Sequence, residues 1–171
     1  MKTEDNTVKE WLSKLQKVKA GGADLSAGED LSIAIMNLVS LEEHFYFSAM
    51  KTNEKKYLDM LYSVRELRKT MLKKIVKDPK GEEWCISKHL LAASMRLIEV
   101  GTKELTNKNK AEAEKLFAAA YELYSLFWAI NLNLAPSGKI DPPMLESEKK
   151  QETFSKMISE VVNKLVDCCR E

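Results

Sequence analysis

The chain has 171 residues, 44% apolar and 31% charged, which suits one water-soluble domain and excludes a disordered chain too poor in apolar residues to offset the entropy of ordering. No stretch approaches the ~20 consecutive apolar residues of a membrane-spanning helix. The formal charge of +1 argues against a dedicated nucleic-acid binder, yet it hides an asymmetry: residues 51–80 carry ten Lys and Arg against four Asp and Glu.

In chain order, residues 7–20 place Val8, Trp11, Leu12, Leu15 and Val18 on one side of a short helix, which Gly21-Gly22 ends. A second helix starts near Ser26, with Glu29 at capping-box spacing, and carries Leu31, Ile35, Leu38, Leu41 and Phe45 to about Lys51. After a break at Thr52-Asn53, residues 54–77 repeat the stripe with Tyr57, Met60, Leu61, Val64, Leu67, Met71 and Ile75. Asp78-Pro79-Lys80-Gly81 stops that helix, because proline disfavours helical geometry in the residue before it and glycine admits a reversal.

The next two helices are expected over 82–105, with Trp84, Leu90, Leu91, Ser94, Leu97, Ile98 and Leu105 inward, and over 108–133, with Leu116, Ala119, Ala120, Leu123, Phe127 and Ile130 inward. Gly101, Ala113, Phe117 and Ala120 stand at a spacing that resembles the helix hairpin of tetratricopeptide repeats. That resemblance spans about 35 residues, has Ser125 where such a repeat closes on proline, and implies a close-packed hairpin. Residues 134–145, with three prolines and Gly138, form a loop, and 146–171 form a last helix with Phe154, Ile158, Val161, Leu165 and Cys168 on one side.

Short connections force neighbouring helices antiparallel. The expected fold is therefore all-α: one domain over 1–171, built on an up-and-down antiparallel four-helix core at 27–133 with an added N-terminal and C-terminal helix. The mixed charges before Trp11 are not those of a secretory signal. Three cysteines, two of them adjacent at Cys168-Cys169, make a poor disulfide framework. A cytoplasmic protein is expected.

The candidate sites begin with Glu42, which falls on the Ile35, Leu38, Phe45, Ala49 line at core spacing. A buried carboxylate needs a cation, a donor or a metal beside it. Arg68 shares the inward side of its helix, and His89, Arg96 and Glu99 fall near one stripe of the next. A buried ion-pair network that fixes helix register is the favoured outcome. The alternative is a carboxylate and imidazole metal site of the ferritin-like kind, drawing on Glu42, Glu43, His44, His89 and Glu99. Neither histidine has a glutamate three residues before it, since Leu41 and Ile86 stand there, so the di-metal motif itself is missing. Cys85 and His89 have the i, i+4 spacing of two metal ligands, which is short of a site.

No nucleophile elbow or glycine-rich phosphate loop occurs, so neither a catalytic residue nor a cofactor is expected. Phe47, Tyr124, Trp128, Val162 and Val166 exceed the needs of one buried stripe and are candidates for an interface. Lys55, Lys56, Lys69, Lys73, Lys74 and Lys77 form a basic face that either tracks phosphates or is simply solvated. The resulting expectation is a non-enzymatic helical-bundle protein acting through protein contacts and pairing as a homodimer. Metal binding is the alternative and nucleic-acid binding through 54–77 the third reading.

Overall fold

The computed structural model describes residues 26–133. The helices expected at 7–20 and 146–171, the loop 134–145, and with them Val162 and Val166, lie outside the described residues. Within them the chain is helical, with four helices and no strand: α1 (Ser26–Thr52), α2 (Lys56–Ile75), α3 (Glu83–Thr106) and α4 (Lys110–Asn131). No helix among the described residues is long and apolar enough to cross a membrane.

Each helix is followed by a residue in the left-handed region: Asn53, Asp78, Lys108 and Asn133, with φ between 49° and 63°. Asn and Asp tolerate that conformation better than other side chains, and it is the usual way a helix C-terminus turns its last carbonyls onto following amides. After α1 the Asn53 amide donates to the Ala49 carbonyl at 2.9 Å. The two capping residues expected at 52–53 therefore end α1 and do not start α2, whose N-cap is Lys55 with no side-chain cap bond.

The helices pair as two hairpins, α1 with α2 and α3 with α4, which meet chiefly along α1 and α3. Contacts run in opposing order within each hairpin. Phe45 stacks on Tyr57 near the turn and Glu42 reaches Arg68 farther back. Across the second hairpin Gly101 meets Phe117, Ser94 meets Ala120, and Ser87 meets Asn131. On α1, Ser32 meets Tyr124 and Gly28 meets Trp128, so α1 also opposes α4 and the turns 53–55 and 107–109 share one end of the molecule.

The α3/α4 hairpin is close-packed for a reason visible in its spacing. Buried Ser87, Ser94 and Gly101 recur every seven residues on α3, opposite buried Ala113, Ala120 and Phe127 at the same interval on α4. A heptad of small residues lets two antiparallel backbones approach at a shallow left-handed angle. Ser94 Oγ accordingly donates to the Ala120 carbonyl at 2.8 Å. At Gly101 a Cβ would stand 2.5 Å from the Phe117 ring.

The shared core is lopsided. Ile35, Met36, Leu72, Val76, Leu91, Phe127, Trp128 and Ala129 form it; Val76 directly follows α2 and the other seven lie in the halves of the helices away from the turns 53–55 and 107–109. Of the twelve large apolar residues that are exposed among those described, ten lie in the turn-side halves: Leu41, Tyr46, Phe47, Met50, Leu58, Met60, Tyr62, Ile98, Val100 and Leu105. This corrects the sequence expectation for Leu41, Met60, Leu67, Ile98 and Leu105, which hold inward positions in the helical pattern yet are exposed. Periodicity reports which side of a helix faces its neighbours, not whether the neighbours close over it at that level.

Candidate functional site

Glu42 and Arg68 meet as expected between α1 and α2. Arg68 Nε donates to Glu42 Oε1 at 2.7 Å and Nη2 donates to Oε2 at 3.2 Å, a two-pronged pair in which Arg68 is 3% exposed and Glu42 14%. The planar guanidinium matches both carboxylate oxygens at once. A lysine could supply the charge but not that fit.

Glu43, one residue on, points elsewhere, because successive helical positions are about 100° apart. It accepts from Arg96 Nε at 2.9 Å, and Arg96 also bridges to Glu99 one turn along α3. This second cluster is half-exposed and ties α1 to α3. The Glu43 carboxylate, joined by Glu99 and opposed by slight burial, raises the already high pKa of Arg96 further.

The eight polar residues singled out from the sequence therefore do not converge. Glu42 with Arg68 forms one pair, Glu43 with Arg96 and Glu99 another, while His44, Cys85 and His89 are exposed. Arginines occupy the carboxylates that a metal would need. Among the described residues no group of three or more His, Cys, Asp or Glu is gathered as for an ion. His89 lies on the Arg96 side of α3, seven residues before it, and like Cys85 one turn earlier it is exposed.

Beside the Glu43 cluster an open groove of about 690 Å³ runs between α1 and α3, lined by Asn37, Ser40, Leu41, Glu43, His44, Phe47, Lys51, Arg96 and Glu99. Its apolar part is Leu41 and Phe47, the latter 55% exposed. Tyr46 packs edge-on against Phe47 with ring centroids 5.2 Å apart, so the aromatic surface continues around α1 toward Met50.

Of the interface candidates, Phe47 is exposed as expected. Trp128, at 3% exposure, is not available to a partner: its ring lies against Gly28 of α1, where a Cβ would come within 3.2 Å, and against Phe127. Tyr124 is half-buried between Phe127 and Trp128. Ser32 Oγ donates its one proton to the Glu29 carbonyl at 2.7 Å, which leaves the Tyr124 hydroxyl to donate to Ser32 Oγ, also at 2.7 Å. Burial pushes the Tyr124 phenol up, against the contrary effects of Ser32 and Trp128. Among the described residues the Ser125 hydroxyl and the Trp128 indole N–H have no partner in hydrogen-bonding geometry.

The basic face of α2 is in place. Lys55, Lys56, Lys69, Lys73, Lys74 and Lys77 are all exposed, with Lys56 paired to Glu54 and Lys69 to Glu66. The sequence pattern sets Met60 and Leu67 inward and passes over Leu58 and Tyr62; all four are exposed, Tyr62 at 65%. The signal was present, since Leu58 and Tyr62 fall outside the inward stripe at i, i+4. Compared with known proteins, the chain matches no family model, and no curated protein or solved structure is significantly similar to it.

Proposed function

We propose that this chain is a non-enzymatic helical-bundle protein that acts through protein contacts, and that its turn end is the surface on which two copies associate. The observation that carries the reading is the division of apolar residues, with the shared core at one end and seven exposed large apolar side chains of α1 and α3 toward the other: Leu41, Tyr46, Phe47, Met50, Ile98, Val100 and Leu105. Tyr46, Phe47, Met50, Ile98 and Leu105 are each 38–58% exposed, and large apolar side chains gathered toward one end of a molecule are what an interaction surface presents.

A second copy suits this surface because the local charges cancel. Residues 43–52 carry Glu43 against Lys51, and 96–106 carry Arg96 and Lys103 against Glu99 and Glu104. Two such faces related by a twofold axis meet without like-charge repulsion, and a self-complementary patch is what that symmetry requires. The Glu42–Arg68 pair and the Glu43–Arg96–Glu99 cluster then have structural work: they hold the helix register that keeps the apolar residues on one end. The reading includes a cytoplasmic homodimer whose up-and-down four-helix core carries a further helix at each terminus. It is tested by light scattering on a sizing column with Met50→Glu and Leu105→Glu, singly and combined. A dimer mass that falls to monomer in the combined variant supports it, and a monomer at every concentration overturns it.

A further inference from the structure

The outer face of α2 carries a feature that self-association does not use. Lys55, Leu58, Tyr62, Arg65, Lys69 and Lys73 follow one another at intervals of three and four residues, so they share one side of the helix. All six are exposed. Leu58 and Tyr62 thus form an apolar ridge with one cation before it and three after it. The stripe is about 27 Å long at 1.5 Å per residue.

Two occupants are disfavoured by what lies on this face. A second copy placed here by a twofold axis would set cations against cations, and α2 from Lys56 to Ile75 holds six Lys and Arg against two acidic residues. A phosphate backbone would satisfy the cations but leave Leu58 without use. Asp59 and Glu66 flank the stripe, and Glu66 already holds Lys69 at 2.9 Å, which weakens the field a polyanion would follow. What complements an aromatic and leucine ridge with a cationic rim is a helix with an apolar stripe bordered by Glu or Asp. Tyr and Arg are the residue types that dominate such interfaces, and ridges at three- and four-residue spacing seat another helix directly.

We infer that the outer face of α2 docks an acidic amphipathic helix of a partner protein, with Tyr62 and Leu58 as its apolar anchor and Lys55, Arg65, Lys69 and Lys73 as its charged rim. This docking face is separate from the turn-end surface of α1 and α3, so either proposal can fail while the other stands.

The experiment is fluorescence anisotropy on the full chain with four labelled probes: a 20-residue helical peptide with a leucine stripe flanked by glutamates, its scrambled isomer, polyglutamate of equal charge, and a 20-nucleotide single-stranded oligouridine. The amphipathic peptide is expected to bind at least tenfold more tightly than the other three. Tyr62→Ser is expected to weaken that peptide about tenfold without changing the far-ultraviolet circular dichroism, and Arg65→Glu with Lys69→Glu to abolish it. Equal binding of peptide and scrambled isomer would reduce the face to nonspecific charge and overturn the proposal. Tighter binding of oligouridine would overturn it in favour of nucleic acid, and no binding, or binding indifferent to Tyr62, would overturn it outright.

Discussion

Replacing Glu42 with Leu removes the partner of an arginine that is 3% exposed. Two charge-assisted hydrogen bonds are lost, at 2.7 and 3.2 Å, each worth about 1.5–3 kcal/mol. Breaking a buried pair from one side generally costs about 3–5 kcal/mol, because the remaining charge is stranded. Glu42 itself is 14% exposed, so water can enter from its side, and the low end of that range, about 3 kcal/mol, is expected for Glu42→Leu. In a protein of this size that lowers the melting temperature by roughly 6–12 °C. Arg68→Met strands the carboxylate, which is nearer solvent and costs less, about 2 kcal/mol. The double variant replaces both charges with apolar groups and should lie within about 1 kcal/mol of the parent. Urea unfolding of the four proteins measures all three values. A double variant whose loss equals the sum of the single losses would refute the pairing as the source of the effect, and a Glu42→Leu loss under 1 kcal/mol would refute its desolvation.

Three further outcomes follow from the packing. Gly101→Ala places a Cβ 2.5 Å from Phe117 Cε1; overpacking costs about 1–3 kcal/mol against roughly 1 kcal/mol of improved helix propensity, so thermal unfolding should show a net loss, and a gain would contradict the tight α3/α4 contact. Ser125→Ala removes a hydroxyl that is buried without a partner and should stabilise by about 0.5–1 kcal/mol in the same assay, where a loss would mean that the hydroxyl is satisfied. Burial raises the Tyr124 phenol, so the folded state holds that proton more tightly than the unfolded one. Its contribution is complete below the ordinary phenol pKa near 10.0 and is lost as pH rises from there through the folded value. Tyr124→Phe should lower stability at neutral pH by about 1 kcal/mol through the lost Ser32 bond but fall less steeply above pH 10, and parallel alkaline curves would contradict the assignment.

The helices were legible in the sequence because each carries a 3.6-residue stripe bounded by strong breakers. The Asp78 to Gly81 segment and the Asn53 and Asn107 turns fall where expected, within three residues at each described boundary. The Glu42–Arg68 pair was legible for a related reason: a carboxylate and a guanidinium on inward stripes of adjacent helices have few other ways to avoid stranding a charge. Level along the bundle was not legible. Ile98 and Leu105 follow buried Leu91 at seven-residue intervals and share its side of α3, yet the hairpins close over Leu91 and not over them, which depends on how two hairpins meet in space. Arg96 is two residues from inward Ser94 and Ile98, about 160–200° around α3, and so faces away from the core. Its long stem lets the head reach Glu43 at the surface of the α1/α3 contact. Trp128 looked surplus because α4 carries apolar residues all round its last turns, and its ring packs where Gly28 of α1 leaves room.

The association of two copies through the turn end is tested most directly by sedimentation equilibrium of the parent and the Met50→Glu/Leu105→Glu double variant over a hundredfold range of concentration. The expected result is a parent that reaches twice the mass of the 19.5 kDa chain and a variant that stays at the chain mass with unchanged helix content. A parent that remains at 19.5 kDa throughout, or a variant that dimerises as well as the parent, would contradict the turn end as the contact surface.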